Sequence, residues 1–189
     1  MELIMTKNET FTLTSTAKEK LKALAKLALQ KAVIENQKIS VDPSIFPEVF
    51  QKKLGAFVTL HKDGKLRGCI GRFEPDMPLY QVIIDMAISA SRYDTRFSPV
   101  TPEELPHITI EISALTPRRK IDSIDEIIVG KHGIYIEYNG QSGTYLPQVA
   151  TEMGWNSEEF FRSCCTEKAG IAPEHCKDAT LYVYEAIVF

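Results

Sequence analysis

The 189 residues contain no uninterrupted apolar run close to the ~18 that a membrane-spanning helix needs. The N-terminal "MELIMTKNETF" has no basic stretch followed by an apolar core, so no secretory leader is expected. Positive charge is not in excess: the net charge is −3, which excludes bulk electrostatic attraction to nucleic acid. Cysteine is scarce, and the four present (Cys69, Cys164, Cys165, Cys176) have the spacing of neither a zinc site nor a disulfide framework. The expectation is four reduced thiols in a soluble, cytoplasmic protein. There is no phosphate-binding Walker loop, dinucleotide fingerprint, HExxH, GxSxG or ferredoxin-like cysteine run, and no metal or nucleotide cofactor is written in the chain.

What is present is an ordinary globular composition, 44% hydrophobic and 25% charged, in a chain long enough to bury a core without staples. Residues 13–36 read as the longest helix, capped by Thr14 or Ser15, with one apolar stripe from Leu21 to Val33 and its lysines on the solvated faces. A hairpin over 55–73 turns at Asp63-Gly64, and a second over 131–148 turns at Asn139-Gly140. Residues 78–93 read as a helix, 107–116 as a strand with one wet face, 121–130 as a short helix and turn. Residues 147–170 form two helical pieces, and 180–189 one terminal strand. Hairpin, helix and strand thus recur over 55–116 and 132–189. Tight turns between strands predict an α+β fold, a largely antiparallel sheet with packed helices.

The chemistry centres on "LRGCIG", residues 66–71. With Asp63 and Gly64 as a two-residue turn, Cys69 falls opposite Val58 and Arg67 opposite Leu60. Alternation then puts Arg67, Cys69 and Gly71 on one face and His61 on the other, which removes His61 as a base for the thiol. A one-residue slip exchanges the faces. Gly68 points away from Cys69 and leaves room for a helix or another backbone. Arg67 beside a thiol favours the thiolate. Against this stands the ordinary role of a free cysteine as a small core residue.

Other polar positions extend the set. Asp94 and Arg96 in "YDTRF" come just after a helix end and suit either an ion pair or a polar clamp at a cleft. His132 stands between glycines at a hairpin entrance. Gln148 begins a helix, where free N–H groups suit an anion. Trp155 reads as a core brace, and Glu158 and Glu159 as first-turn helix acids.

Taken in order, "GAFVTLHKDGKLRGCIGRF", "YDTRFSPVTPEEL", "ITIEISALT", "VGKHGIYIEY", "YLPQVATEMGW" and "EEFF…C…KAG" resemble the AMMECR-type domain family from about residue 10 to the end, as a single domain over 1–189. The family often has proline where Thr95 stands and leucine where Tyr145 stands, and "APEHCKD" is less typical. The resemblance implies two unequal, intimately associated subdomains with the signature residues near a cleft between them. Arg67, Gly68, Cys69 and Gly71 match the signature, and Asp94, Arg96, Phe97, His132, Gln148 and Trp155 its other recurrent positions. It also implies a place beside radical-SAM and Memo-like proteins in a modification pathway.

Two functional readings fit these residues. In the first the protein is an enzyme acting on a small-molecule or macromolecular substrate, with Cys69 as nucleophile, Arg67 lowering its pKa and His132 as acid–base partner, while Gly68, Gly71, Asp94, Arg96 and Gln148 shape the substrate site. In the second it is a non-catalytic module binding a small ligand, peptide or nucleic acid, with Arg67, Arg96 and Gln148 as polar contacts. A structural scaffold without ligand is the remaining reading.

Overall fold

The computed structural model describes residues 11–189. The expectation about a leader concerns residues 1–10, which lie outside the described residues. Helix α1 (Ser15–Glu35) starts where Thr14 Oγ1 accepts the Ala17 N–H at 3.2 Å and stops where Asn36 turns left-handed. Its whole predicted stripe is buried. A short helix α2 (Glu48–Gln51) leads into the first hairpin, β1 (Ala56–Lys62) and β2 (Lys65–Arg72). Asp63 (φ 50°) and Gly64 (φ 77°) are both left-handed, the turn whose twist matches the flanking strands. Helix α3 (Leu79–Arg92) returns the chain to strand β3 (Ile108–Leu115).

The second half takes the same path. Hairpin β5 (Gly133–Tyr138) and β6 (Gln141–Tyr145) turns at Asn139 and Gly140, again both left-handed. Helices α4 (Pro147–Met153) and α5 (Ser157–Ser163) precede strand β7 (Thr180–Tyr184). Asn156 caps α5 by accepting the Glu159 N–H at 2.9 Å, and Glu159 accepts the Asn156 N–H in return, so this glutamate is a helix-capping group.

Two further strands complete the architecture. Strand β4 (Arg119–Ile121) ends where the stretch read as a short helix and turn, 121–130, begins, and that stretch holds one 3-10 turn (Ile124–Glu126). The terminal segment is two strands, β7 and β8 (Ala186–Val188), rather than one. The sheets run β2-β1-β3-β8 and β4-β7-β5-β6, with every pairing antiparallel. The recurrence seen in the sequence is therefore topological: β2-β1-β3 and β6-β5-β7 are the same arrangement. The strand after each trio joins the other trio's sheet: β4 leaves β3 to pair with β7, and β8 leaves β7 to pair with β3. The fold is α+β, as its turns predicted.

Each sheet buries one face under its own helices. Val58, Leu60, Ile112 and Ala114 meet the apolar faces of α1 and α3. Ile134, Ile136, Leu181 and Val183 meet Ala150, Phe160, Cys164 and Cys165. The opposite faces meet at an aromatic junction, where Phe57 and Phe73 of the first half pack against Tyr135, Tyr182 and Tyr184 of the second. The Arg118 guanidinium lies 4.2 Å from the Phe73 ring centre and 3.9 Å from that of Tyr135, a cation held between two π faces.

The expectation of four reduced thiols is corrected. Cys165 and Cys176 are joined in a disulfide, and Cys69 and Cys164 are free. After α5 the chain widens into a π-helical turn (Cys164–Lys168), in which the Ala169 N–H donates to Cys164 O at 2.9 Å. That turn sends Cys165 toward the 3-10 segment holding Cys176, while Cys164 stays in the core. Burial pushes the Cys164 thiol up to about 12. Among the described residues, no helix is long and apolar enough to cross a membrane, and no group of acidic, histidine or cysteine side chains has the arrangement of a metal site.

Candidate functional site

The pairing of β1 with β2 begins as the turn dictates, His61 opposite Leu66 and Lys62 opposite Lys65. It then slips. Leu60 pairs with Gly68 and Thr59 with Cys69, so Arg67 is the extra residue of a β-bulge. The expectation that Cys69 lies opposite Val58, and Arg67 opposite Leu60, is overturned by this single insertion. Past the bulge the faces are exchanged. Gly68 and Ile70 point into the core with Leu60 and Val58. Cys69 and Gly71 point outward with Thr59 and Phe57, and alternation along β1 places His61 on that same outward face.

The direction foreseen for Gly68 holds. A Cβ built there would lie 2.2 Å from Ala90 O, so the backbone of α3 rests directly on this residue. Gly71 is covered by an aromatic ring instead: its Cβ would lie 2.0 Å from Phe57 Cδ1. Lying this close to β2, α3 ends beside the sheet edge and delivers Asp94 to the strand.

Strand β2 is an edge strand, and the N–H and C=O of Cys69 point off that edge. Asp94 Oδ2 accepts the Cys69 N–H at 2.9 Å, and Arg96 Nη2 donates to Cys69 O at 3.1 Å. The same two side chains bond each other, Arg96 Nε to Asp94 Oδ1 at 2.9 Å and Nη2 to Oδ2 at 2.7 Å. Asp94 and Arg96 thus occupy the place of a neighbouring strand at one residue. Asp94 is buried, and the Arg96 guanidinium holds its carboxyl far below the ordinary range. Cys69 Sγ is half-buried and accepts a hydrogen bond from Thr59 Oγ1 at 3.2 Å, across the closer kind of antiparallel pair.

Arg67 serves the loop rather than the thiol. Its Nε donates to Glu104 Oε1 at 3.0 Å and its Nη2 to Oε2 at 2.9 Å, while Nη1 reaches Ser98 O at 2.9 Å. Glu104 also accepts from Lys62 Nζ at 2.9 Å and the Thr101 N–H at 3.0 Å. These donors, Arg67 foremost, hold its carboxyl down to about 2. Phe97 lies between the two arginines, with guanidinium carbons 6.0 Å (Arg67) and 5.5 Å (Arg96) from its ring centre. The bulge and the 94–104 loop are one tied unit.

His132 and Gln148 belong to the other half. His132 is buried, its Nδ1 accepts the Ile128 N–H at 3.1 Å, and burial lowers its pKa. It braces the 128–132 turn and is not among the groups hydrogen-bonded around Cys69. Gln148 is exposed in the first turn of α4. Trp155 packs against the second core beside Tyr145, with ring centres 5.8 Å apart. Sequence reasoning misses Thr59, Glu104 and the placing of His61. Thr59 and His61 carry the alternation signal, but an unbroken register puts them on the wrong face, and Glu104 stands in plain view in "TPEEL".

The Cys69–Thr59 pair is one step along the strands from the Gly71–Phe57 pair, which runs into the aromatic junction. The thiol therefore lies on an open sheet face beside the line where the two halves meet. The small depression at that line, about 20 Å³, is lined by Gly55, Phe73, Leu115, Arg118 and Tyr184 among others, and Cys69 is not one of them.

Comparison with known proteins agrees with the motifs. A family model described as AMMECR1 matches residues 22–189. A protein of Methanothermobacter thermautotrophicus is 40% identical over 174 residues, covering 88% of this chain and 90% of the relative. One of Methanocaldococcus jannaschii is 42% identical over 173 residues, with 84% and 85% covered. The crystal structure of an uncharacterised protein from Pyrococcus horikoshii superposes with a TM-score of 0.74 at 35% identity, over 90% of this chain and 89% of that one.

Proposed function

The chain belongs to the AMMECR1 family, and from the outward face of its first hairpin we propose that it is a cysteine-dependent enzyme with Cys69 as nucleophile. One observation carries the reading. The Cys69 main chain is clamped on both sides by Asp94 and Arg96, while its half-buried thiol carries no disulfide and accepts one hydrogen bond, from Thr59 Oγ1, on the outward face. A thiol needed only for packing gains nothing from such a clamp. A nucleophile gains a fixed attack geometry.

The acid–base partner in this proposal is His61 in place of His132. His61 stands two residues from Thr59 on the Cys69 face, the diagonal position across an antiparallel pair, where separations of about 7–8 Å are within reach of long side chains. The thiol proton passes to the imidazole as Sγ adds to a carbonyl carbon of a substrate lying across Thr59, His61 and Cys69, the C=O π electrons moving onto the oxygen. Arg67 acts as a positioning residue through Glu104, and Gly68 through α3. We further propose one domain of two associated subdomains and radical-SAM and Memo-like partners, on the family resemblance, and a cytoplasmic location, on the scarcity of cysteine.

Iodoacetamide alkylation of the native protein across pH, followed by mass spectrometry of the modified peptide, tests the nucleophile. Cys69 is expected to react faster than a free cysteine at neutral pH, and His61→Asn to shift the pH profile without changing the fold. A Cys69 that is inert at neutral pH, or a profile unmoved by His61→Asn, sinks the corresponding part. The binding-module reading has weaker support, because the Arg67 fork is already filled by Glu104.

A further inference from the structure

The core face of β3 is longer than its helical cover. Ile112 and Ala114 are fully buried beneath α1 and α3, but Ile108 and Ile110, on the same face nearer the strand's start, are only half-buried. Beside them runs a groove of about 320 Å³ between α1 and the start of β3. Its floor is Leu29, Leu105, Ile108 and Ile110. Its rim carries Lys22 and Lys26, exposed and one helical turn apart on α1. Among the described residues neither lysine forms an ion pair, although other surface lysines of this protein do, Lys31 with Glu35 and Lys38 with Asp85 among them.

We propose that this groove binds an aliphatic monocarboxylate, with its chain along Ile108, Ile110 and Leu105 and its carboxylate between Lys22 and Lys26. An apolar trough draws an alkyl chain out of water. Two cations at one rim select the sign of the headgroup, which a trough alone does not do. The volume is at the small end of ligand sites and suits a single chain rather than a folded partner. This site is separate from the Cys69 face, since Ile108 and Ile110 lie on the opposite side of the same sheet.

The test is a titration of the full chain with decanoate below its critical micelle concentration, read by NMR on isoleucine and leucine methyls. Shifts are expected at Leu29, Leu105, Ile108 and Ile110 and nowhere else. The Lys22→Glu/Lys26→Glu double variant is expected to weaken binding by about tenfold or more, while Lys22→Arg/Lys26→Arg keeps it. Decylammonium is expected to bind the native protein more weakly than decanoate. No shifts, shifts spread over the whole protein, decylammonium binding as tightly, or a charge-reversed variant that binds unchanged would each overturn the proposal. Cys69→Ser is expected to leave decanoate binding intact, so failure here and failure of the enzyme reading are separate results.

Discussion

Asp94 holds Cys69 by its main chain, not by its thiol: the carboxylate accepts the cysteine N–H at 2.9 Å, while Arg96 takes the carbonyl of the same residue. The pair is unequal, with the Asp94 side chain 3% exposed and that of Arg96 55% exposed. Removing Arg96 therefore leaves a buried charge uncompensated, whereas removing Asp94 leaves a guanidinium that water can solvate. Arg96→Ala is expected to lower stability more than Asp94→Ala, despite the deeper burial of Asp94. Chemical denaturation of both variants checks the order, and a larger loss for Asp94→Ala would reverse it.

Gly68 and Gly64 give a contrast within one hairpin. A methyl at Gly68 meets the Ala90 carbonyl oxygen at 2.2 Å, a backbone atom that cannot rotate away. Gly68→Ala is expected to cost about 3 kcal/mol, because α3 must lift from β2. Gly64→Ala meets nothing within 4 Å and is strained only by its left-handed φ of 77°, for about 1 kcal/mol. Thermal and denaturant unfolding of the two variants should separate them clearly.

The cysteines are expected to behave as three kinds. Native alkylation without reductant should mark Cys69 alone, since Cys164 is buried with its thiol pushed up to about 12 and the other two are bonded. Replacing both Cys165 and Cys176 by serine should lower stability by roughly 3 kcal/mol, the scale for a short closed loop. Peptide mapping and an unfolding curve are the measurements.

Acid should loosen the bulge first through Glu104. Its carboxyl is held to about 2 in the folded chain against an ordinary 4.5. A folded value below the unfolded one contributes stability that is complete above the unfolded value and is lost as pH falls through the folded one. Stability should therefore decline from about pH 4.5 to about pH 2, with Asp94 extending the loss to stronger acid. Glu104→Gln should start less stable and fall less steeply over this range. Equal slopes for the two proteins would remove Glu104 as the cause.

Much of the fold was legible because its signals are local. Asp63-Gly64 and Asn139-Gly140 announce turns by residue type, and the α1 stripe announces its buried face by spacing. The bulge announces nothing, since the extra residue in such a pair needs no special side chain, and Arg67 looks like any strand residue. The partner of the extra residue lies 37 positions away, in the carboxylate of Glu104 that accepts from its guanidinium. One unseen residue is enough to put Cys69, Thr59 and His61 on the wrong faces. The break at Glu185 is equally silent, with neither glycine nor proline to mark where β7 ends and β8 begins. The disulfide is hidden by Cys164: two adjacent cysteines read as a pair, until the π-helical turn sends them different ways.

The traded strands β4 and β8 make the two halves behave like a buckled belt. The first sheet is finished only by β8, whose covalent continuation β7 lies in the second, so the first half cannot be peeled off without opening the β3–β8 edge. Cutting the gene near residue 117 parts β3 from β8, so the first fragment should complete its sheet only when the second is mixed with it, as an unfolding curve of the fragment alone and in the mixture would check. The same latch restrains how far the walls beside the aromatic junction can swing, so the face that carries Cys69 is held at a set angle to the second sheet.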